Sequence, residues 1–586
     1  MGSPPAKMKF CPIHMLSVRI IQAKNIKSRD LLTASDCYVR LWLPSASNGK
    51  LQTKTIKNSD NPVWNETFYF RIQREIENIL ELAVCDEDPL TKDDMQFTVL
   101  FNVARIRPGE VLRETFALKS EVPVIAVMAT GGGLRAMSAM FGHLLALQKL
   151  NLLDCVTYLT GASGSTWTLA DLYEHADWSQ KTLEGPLKAV KEQVTKCKLN
   201  LMSIDHLKYY HKELAERAKA GHVSSFTTLW SLVQEMFLHE RPRKYKLTDQ
   251  RKALEHGQNP LPFYAVLNVK EEKFSTFKFR EWAEFSPYEV TIPKYGASIR
   301  SEYFDSEFFM GRRVKKLPES RICYLEEKHS PEDDVTTIEP PSCLSGKLYE
   351  MFQDIMTKRP LLGKSHNFLR GLEFHKDYIH QKKFIEWKDT VLDSFPNNLT
   401  PLEKYLCLID VGYFINTSGA ALFKPERNVD VIISLDYGLG NVFKQLEMTY
   451  KYCKIQKIPF PKVELSKEEE KNPKECYVFS DAEDPRAPIV IHFPLVNDTF
   501  KEFKEPGVKR CLSEMEQGKV NLENNCSPYY LIRLIYSSEN FDKLVNLSKY
   551  NILNNKDLLL QAIRSAIERR SSRTGNLPSH SGAGYA

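Results

Sequence analysis

The chain has 586 residues, of which 42% are hydrophobic and 26% charged, and its net charge at pH 7 is +6. This length predicts about two to four domains, and the small net charge gives no indication of nucleic-acid binding. No apolar stretch approaches the roughly 20 residues that a transmembrane helix needs. The amino terminus lacks the apolar core of a signal peptide and the twelve cysteines form no CxxC pair, so we expect reduced thiols in a cytosolic protein.

The first hundred residues alternate apolar and polar side chains in short segments separated by turns. In the first segment, Leu16, Val18 and Ile20 alternate with mostly polar neighbours. Such alternation is typical of strands with one buried face, and the regular short spacing predicts an antiparallel sandwich. The predicted strands are residues 15–23, 37–43, 51–56, 67–72, 80–84 and 97–103.

Acidic residues of this region fall in the turns rather than on the strands. If three loops meet at one end of a sandwich, so many uncompensated carboxylates repel one another, and a hard, oxygen-preferring cation such as Ca²⁺ relieves the repulsion. The alternative for any one of these residues is an ordinary solvated turn. The oxygen-bearing turn residues are Asp30, Asp36, Asn58, Asp60, Asp86, Asp88, Asp93 and Asp94.

Three segments, SDCYV at 35–39, NPVWNETF at 61–68 and CDED at 85–88, resemble a C2 domain. Thr33 and Ala34 stand where related lipase C2 domains often have an aspartate and another oxygen ligand, so we expect one calcium site to be weaker or missing. The calcium ligands that the resemblance implies are Asp30, Asp36, Asn58, Asp86, Asp88 and one of Asp93 or Asp94.

Apolar residues stand beside these carboxylates, at Leu31 and Leu32 in the first loop and at Leu90 in the third. Calcium would cancel the local negative charge and allow the loop tips to enter the headgroup region of a membrane. Burying one leucine contributes about 1.5–3 kcal/mol. The alternative is that the leucines pack inward.

The next region begins with an apolar run at 122–129, followed by TGGGLR at 130–135. A helical pattern then places Met137, Met140 and Leu144 on one face. Both the GxGxxG spacing and the Gly-Lys-Ser/Thr ending of a phosphate loop are absent. We therefore predict that the glycines form an oxyanion hole, with backbone N–H groups at a helix N-terminus.

A second strand–loop–helix unit follows, with an apolar run at 155–159, the loop GASGS at 161–165 and a helical pattern at 167–173. Ser163 stands between two glycines, and we assign the loop to the G-x-S-x-G form of a nucleophile elbow, which exposes the serine above the sheet. The alternative is an ordinary Gly/Ser turn. Two such units in succession favour the catalytic interpretation.

A nucleophilic serine needs a base. None of His239, His366, His375 and His380 stands at the end of an apolar strand. An aspartate does, because the buried-strand pattern at 405–409 ends in Asp410-Val411-Gly412 and a further strand is predicted at 429–435. We predict that Asp410 is the base, and the alternative is a turn cap.

The segments GGGLRAM at 131–137, GASGSTW at 161–167, EFSPYE at 284–289, EFFMG at 307–311, DVG at 410–412 and NILNN at 551–555 resemble a group IV cytosolic phospholipase A2, of the beta, delta, epsilon and zeta branch. The resemblance implies a patatin-like dyad without histidine, in which Ser163 is the nucleophile and Asp410 the base. It also implies an oxyanion hole at Gly132 and Gly133 and substrate-binding arginines. The arginines are Arg135, for the phospholipid phosphate, and Arg427.

The resemblance predicts a multidomain protein with an all-β C2 sandwich and an α/β patatin-like catalytic domain that has a central sheet and a cap or lid. The segments near 105–121 and 326–341 are shorter than the family leads us to expect. The basic last helix, at 556–573, is either an ordinary helix end or attracted to anionic lipids such as phosphoinositides. The expected bounds are 10–105 for the C2 domain, 106–121 for a shortened linker, 122–570 for the catalytic domain and 571–586 for a disordered tail.

The function that follows is a calcium-dependent cytosolic phospholipase A2, with possible A1 or lysophospholipase activity. We expect it to hydrolyse fatty-acyl esters of glycerophospholipids and to bind intracellular membranes peripherally when Ca²⁺ rises. Calcium is expected in the C2 domain and not at the catalytic site. One alternative is a calcium-dependent N-acyltransferase that uses phosphatidylethanolamine, and another is a non-catalytic calcium-dependent membrane adaptor.

Overall fold

The computed structural model describes two compact units, one of residues Met1–Val122 with Ile567–Ala586 and one of residues Pro123–Ala566. Within them, the residues that can be described are 13–24, 26, 36–46, 49–59, 61–73, 78–87, 94–103, 106, 108–114, 122–196, 201, 203–224, 226–239, 242–269, 280–326, 363–372, 400–523, 527–531, 533 and 535–575.

The first unit is an antiparallel β structure, as predicted. One pair of strands, β1 with β4, is separate from a sheet with the order β3-β2-β5-β6. Buried residues such as Leu41 and Phe70 form its core. The third strand is shorter than predicted, since only an isolated bridge joins Ile56 to Cys37 beyond it. The strands are β1 (Ile13–Gln22), β2 (Cys37–Trp42), β3 (Lys50–Gln52), β4 (Val63–Gln73), β5 (Ile79–Asp86) and β6 (Asp94–Asn102).

The second unit is organised around a mixed sheet. Its central strands, in the order β9-β8-β7-β17-β19, are parallel, and antiparallel strands extend it at both edges. Every residue of β17 is buried, as expected for a strand covered on both faces. The strands are β7 (Ile125–Ala129), β8 (Val156–Gly161), β9 (Leu261–Val269), β10 (Arg280–Phe285), β11 (Glu289–Ile292), β12 (Ala297–Arg300), β13 (Glu307–Phe309), β14 (Arg312–Lys315), β15 (Gly363–His366), β16 (Tyr405–Ile409), β17 (Val431–Asp436), β18 (Tyr477–Phe479), β19 (Ile489–Pro494), β20 (Phe503–Glu505) and β21 (Val508–Lys509).

Helices cover this sheet, and the one that follows β7 is almost entirely buried. The last helix continues to Gly575, two residues beyond its predicted end, so the first residues of the predicted tail are helical. No helix in the described ranges is long and apolar enough to cross a membrane. The helices are α1 (Gly133–Lys149), α2 (Gly164–Leu172), α3 (Glu184–Thr195), α4 (Ile204–Ala220), α5 (Phe226–His239), α6 (Cys323–Glu326), α7 (Lys444–Gln456), α8 (Lys467–Lys471), α9 (Ser538–Asn554) and α10 (Lys556–Gly575).

Both predicted strand–loop–helix units are present, and their loops lie at the carboxyl ends of the parallel strands. The first is β7 with α1, and the second is β8 with α2. Because β7 and β8 are adjacent and parallel, the two loops leave the sheet side by side. Ligands bind at the carboxyl ends of the parallel strands in open α/β sheets. We therefore expect a functional site at the carboxyl ends of β7 and β8.

Candidate active site

Ser163 occupies a sharp turn between β8 and α2. Its backbone angles are φ 53° and ψ −132°, a region that is essentially restricted to glycine and costs about 1–3 kcal/mol for another residue. The motif departs from the one assigned above, because its fifth position is Ser165 and not glycine. The Ser165 hydroxyl closes the turn instead, donating to the Ala162 carbonyl and accepting from the Ala162 N–H, both at 2.8 Å.

The glycine loop lies directly against this turn. A Cβ on Gly131 would stand 2.5 Å from the Ser163 Cβ, and a Cβ on Gly164 would stand 2.1 Å from the Gly133 carbonyl oxygen. Any side chain at 131 or 164 would therefore separate the two loops. Gly133 has φ +58° and begins α1, whose positive dipole end faces this loop.

Asp410 directly follows β16, which has the bounds predicted from the sequence. The aspartate is 7% exposed, and its side chain accepts a hydrogen bond from the Gly412 N–H. It therefore caps a short turn, as its alternative interpretation predicted.

The register of the sheet brings the ends of β8 and β16 toward each other. Both strands pair with β9, at successive positions along it. β8 runs parallel to it up to Gly161 opposite Tyr264, and β16 runs antiparallel to it down to Ile409 opposite Leu267. Tyr264 and Leu267 are three residue steps apart along β9, which is roughly 10 Å. Ser163 and Asp410 each follow one of these ends.

The loop after Asp410 is hydrogen-bonded to the glycine loop. Asn416 accepts from the Gly131 N–H at 2.7 Å and donates to the Gly131 carbonyl at 3.2 Å. Two residues later, the Ser418 hydroxyl donates to the Ala129 carbonyl at 2.8 Å and lies 2.7 Å from the Thr160 hydroxyl. Asn416 and Ser418 thus join β7, β8 and the Asp410 loop, although the sequence reasoning assigned neither residue a role.

The described histidines have other partners. His239 lies against Arg243, with Nε2 at 2.7 Å from a guanidinium nitrogen, and His366 Nε2 lies 3.2 Å from the Gly221 carbonyl oxygen. His143 is fully buried in α1, and burial lowers its pKa to about 3. His375 and His380 lie outside the described residues.

Comparison with known proteins decides the family. Residues 125–323 match the model of the lysophospholipase catalytic domain, and residues 14–118 match the C2 domain. Human cytosolic phospholipase A2 beta is 39% identical, with 95% of this chain and 98% of the relative covered. Human cytosolic phospholipase A2 epsilon is 36% identical, with 97% and 92% covered. The solved structure of human GIVD cytosolic phospholipase A2 is 35% identical and covers 95% of this chain and 99% of its own, with a TM-score of 0.71.

The chain belongs to the cytosolic phospholipase A2 family. The resemblance inferred from the sequence motifs is therefore confirmed, as is the fold class of a C2 domain with a cytosolic phospholipase A2 catalytic domain.

Arg135, the arginine expected to bind phosphate, is held by two backbone carbonyls in this family member. Its Nε donates to Tyr437 O at 2.6 Å and one terminal nitrogen donates to Tyr529 O at 2.7 Å. The residue is 6% exposed, and burial lowers its pKa. Its other terminal nitrogen lies 3.0 Å from the place of a Cβ on Gly132, beside the glycine loop. A role in phosphate binding stays a prediction.

Arg427 ends a short 3-10 helical turn, Pro425–Arg427, and packs against a side chain of β9. Its guanidinium is 4.1 Å from the centre of the Phe263 ring and donates to Glu284 at 2.8 Å. Lys424 lies 3.0 Å from the same carboxylate oxygen. Two cations therefore share one buried acid, and Arg427 carries a positive charge that Glu284 does not fully cancel.

Asp436 supports the start of the glycine loop from β17. It accepts from the Gly438 N–H at 2.8 Å and from the Thr130 hydroxyl at 3.3 Å. Complete burial raises its pKa from 3.8 to about 6, although the Gly438 hydrogen bond opposes the shift. A raised folded pKa means that the folded state holds this proton more tightly than the unfolded state, so stability falls as the pH rises from about 4 to about 6.

Asp436→Asn removes this titration. The free energy of unfolding of the parent minus that of the variant is expected to be about 1–1.5 kcal/mol smaller at pH 8 than at pH 5. Thermal unfolding of both proteins at the two pH values measures it, with Asp481→Asn as a control at a half-exposed aspartate. A parent–variant difference that does not change with pH would contradict the assignment.

The expected calcium ligands are only partly described. Asp36 precedes Cys37, which pairs with Asp86, and Asp86 pairs with Asp94, so three of the six lie at one end of neighbouring strands. Asn58 has φ 53°, and its N–H donates to Asp36 Oδ1 at 2.7 Å. The expected ligands Asp30 and Asp88, the expected membrane contacts Leu31, Leu32 and Leu90, and the side chains of Asp86 and Asp94 lie outside the description.

Within the described side chains, no three His, Cys, Asp or Glu residues form a group that could hold a metal ion. Four of the six expected ligands have no described side chain, so the expected calcium site lies largely outside the described side chains. The backbone positions, together with an all-oxygen donor set, fit Ca²⁺.

Proposed function

We propose that this protein hydrolyses fatty-acyl esters of glycerophospholipids with Ser163 as nucleophile and Asp410 as general base. The observation that carries the proposal is the convergence of three segments near the carboxyl ends of the parallel strands. They are the strained turn at Ser163, the glycine loop packed against it, and the loop that begins at Asp410 and binds Gly131 through Asn416. Membership of the cytosolic phospholipase A2 family supports the choice of substrate class.

In the proposed reaction, Asp410 takes the proton of the Ser163 hydroxyl while the serine oxygen attacks the ester carbonyl. The backbone N–H groups of Gly132 and Gly133 stabilise the oxyanion of the tetrahedral intermediate. Collapse of this intermediate breaks the ester bond, and the leaving lysophospholipid oxygen receives the proton from Asp410. Water, deprotonated by Asp410, then attacks the acyl-serine, and Ser163 recovers a proton as the fatty acid leaves.

The two arginines have separate tasks in this proposal. Arg135 fixes the glycine loop and directs its remaining terminal nitrogen toward the phosphate of a bound phospholipid. Arg427 supplies positive potential from the sheet face. A substitution of Arg135 is therefore expected to disturb both the geometry of the glycine loop and substrate binding.

Calcium would be held in the first unit, by Asp30, Asp36, Asn58, Asp86, Asp88 and Asp94. When bound, it supplies positive charge that offsets these carboxylates and lets Leu31, Leu32 and Leu90 approach lipid headgroups. The protein would then move from the cytosol to intracellular membranes when Ca²⁺ rises. In the catalytic steps above, Ser163, Asp410 and the glycine N–H groups act without a metal ion.

Product analysis on mixed vesicles of phosphatidylcholine and phosphatidylethanolamine tests the function. We expect mass spectrometry to find free fatty acid and lysophospholipid, with the rate raised by Ca²⁺ and lowered by a chelator. N-acyl-phosphatidylethanolamine as the main product would identify an acyltransferase instead, in which an amine replaces water. No turnover of any lipid would favour a membrane adaptor.

A further inference from the structure

The hairpin of β13 and β14 carries an unusual group of exposed apolar side chains. Phe309 is 49% exposed, Met310 55% and Val314 68%. Single exposed apolar residues are ordinary on protein surfaces, but a group of them within six positions indicates a contact surface. Phe308, by contrast, is 8% exposed and belongs to the core of the unit, so the hairpin is anchored on one side and bare on the other.

This hairpin is fixed in place. Met310 and Gly311 have φ values of 49° and 74°, as in the two-residue turns with positive φ that join antiparallel strands. The Met310 N–H donates to Arg370 O at 2.8 Å. A Cβ on Gly371 would stand 2.8 Å from the Phe309 ring. The apolar tip is therefore packed against the chain at 370–371.

Positive charge surrounds this tip. Arg312, Arg313, Lys315 and Lys316 are all exposed, and Glu307 is the one acidic residue of the hairpin, 3.4 Å from Lys315. Arg313 stacks on the Tyr303 ring at 3.9 Å. In the described part of the chain, neither Arg312 nor Lys316 forms an ion pair, so their charges are available to a ligand.

The position of the hairpin follows from the sheet. β9 continues five residues past the level of Gly161, where β8 ends, and β16 begins beyond the end of β9. The hairpin is bonded to Arg370, and Gly371 N donates to Pro401 O, just before β16. These hydrogen bonds tie the hairpin to the segment that enters β16, whose first residues lie past the carboxyl end of β9.

We propose that the β13–β14 hairpin is a lipid-contacting element of the catalytic unit that docks on an anionic phospholipid surface. Phe309 and Met310 enter the headgroup region, and Arg312 and Lys316 pair with lipid phosphates. An apolar tip ringed by cations fits an anionic membrane surface in both hydrophobicity and charge. The inference rests on the proposed function only in that the substrate is a membrane lipid.

The test measures vesicle binding without catalysis. Full-length protein carrying Ser163→Ala is sedimented with vesicles of pure phosphatidylcholine or with about one-fifth phosphatidylserine, in Ca²⁺ and in chelator. In this background, Arg312→Glu with Lys316→Glu is expected to weaken binding to the anionic vesicles by roughly 10- to 30-fold. Phe309→Ser with Met310→Asn is expected to weaken binding to both kinds of vesicle, and asparagine tolerates the positive φ at 310.

The matched control lies on α7. This helix follows β17, and a helix in such a crossover runs back toward the amino-terminal ends of the parallel strands. Near its end, Ile455 is 76% exposed and lies beside the exposed Lys451 and Lys454. Lys451→Glu with Lys454→Glu makes the same change in charge, and Ile455→Ser removes one exposed apolar side chain. Both are expected to leave binding unchanged. Only variants whose melting temperature equals that of the parent are compared.

The proposal is overturned if the hairpin charge variant binds anionic vesicles as tightly as the parent or loses no more than the α7 control. If a Glu variant fails to fold, Arg312→Gln with Lys316→Gln gives the same comparison at half the charge change. Since turnover plays no part in this readout, a failure of the Ser163–Asp410 dyad would leave the result unaffected.

Discussion

Replacement of Ser163 by alanine is expected to lower the rate of phospholipid hydrolysis by about 10⁴-fold or more, because the step that forms the acyl-enzyme is lost. Hydrolysis of phosphatidylcholine vesicles, followed by fatty-acid release, measures the effect. Ser466→Ala, at an exposed serine that caps α8, is the control and is expected to retain the parent rate.

Ser163 also offers a test by stability. Its φ of 53° and ψ of −132° are strained for serine but open to glycine, so Ser163→Gly is expected to be more stable than Ser163→Ala by about 1 kcal/mol. Activity is lost in both. A strained residue that gains stability when its function is removed is what an active-site turn predicts. If glycine were the less stable of the two, the strain assigned to this turn would be wrong.

Replacement of Asp410 by asparagine is expected to lower hydrolysis by about 10³- to 10⁴-fold. Asparagine keeps an oxygen that can accept from the Gly412 N–H, so the turn is retained, but the amide cannot take the serine proton. Asp481→Asn is the matched control, because Asp481 likewise caps a turn by accepting from the Asp484 N–H at 3.0 Å. Near-normal turnover by Asp410→Asn, with normal folding, would remove Asp410 from the mechanism.

The buried strands were the most predictable part of this protein. The apolar run at 405–409 gave the bounds of β16 without error, and the run at 429–435 overlaps β17. Nearly all side chains of both strands are buried, so composition alone identifies them. β3 was predicted too long, because its alternating pattern continues past Gln52 although the ladder with β2 does not.

Contacts that join distant loops could not be predicted. Asn416 binds Gly131 across a sequence separation of 285 residues, and Ser418 links the ends of β7 and β8. Nothing local distinguishes these side chains from ordinary loop residues, because their partners are chosen by the packing of the sheet. The same holds for Arg135, whose buried carbonyl partners come from two later segments.

The structure of the Gly/Ser motif was predicted only in part. The segment around Ser163 predicted a tight turn correctly, since only small residues allow it, but the G-x-S-x-G form was wrong at Ser165. A hydroxyl that bonds both polar groups of Ala162 takes the structural place that the motif gives to a glycine. The sequence pattern thus specified the turn while leaving its closing hydrogen bonds unspecified.

Activation of Ser163 by Asp410 can be measured by labelling the parent protein with a serine-reactive fluorophosphonate and mapping the adduct by mass spectrometry. We expect a single adduct on the peptide containing Ser163 and none on Ser165, whose hydroxyl is occupied within the turn. In Asp410→Asn, labelling is expected to slow by at least about 100-fold, whereas Asp481→Asn labels at the parent rate. An adduct at another serine, or unchanged labelling in Asp410→Asn, would contradict the proposed dyad.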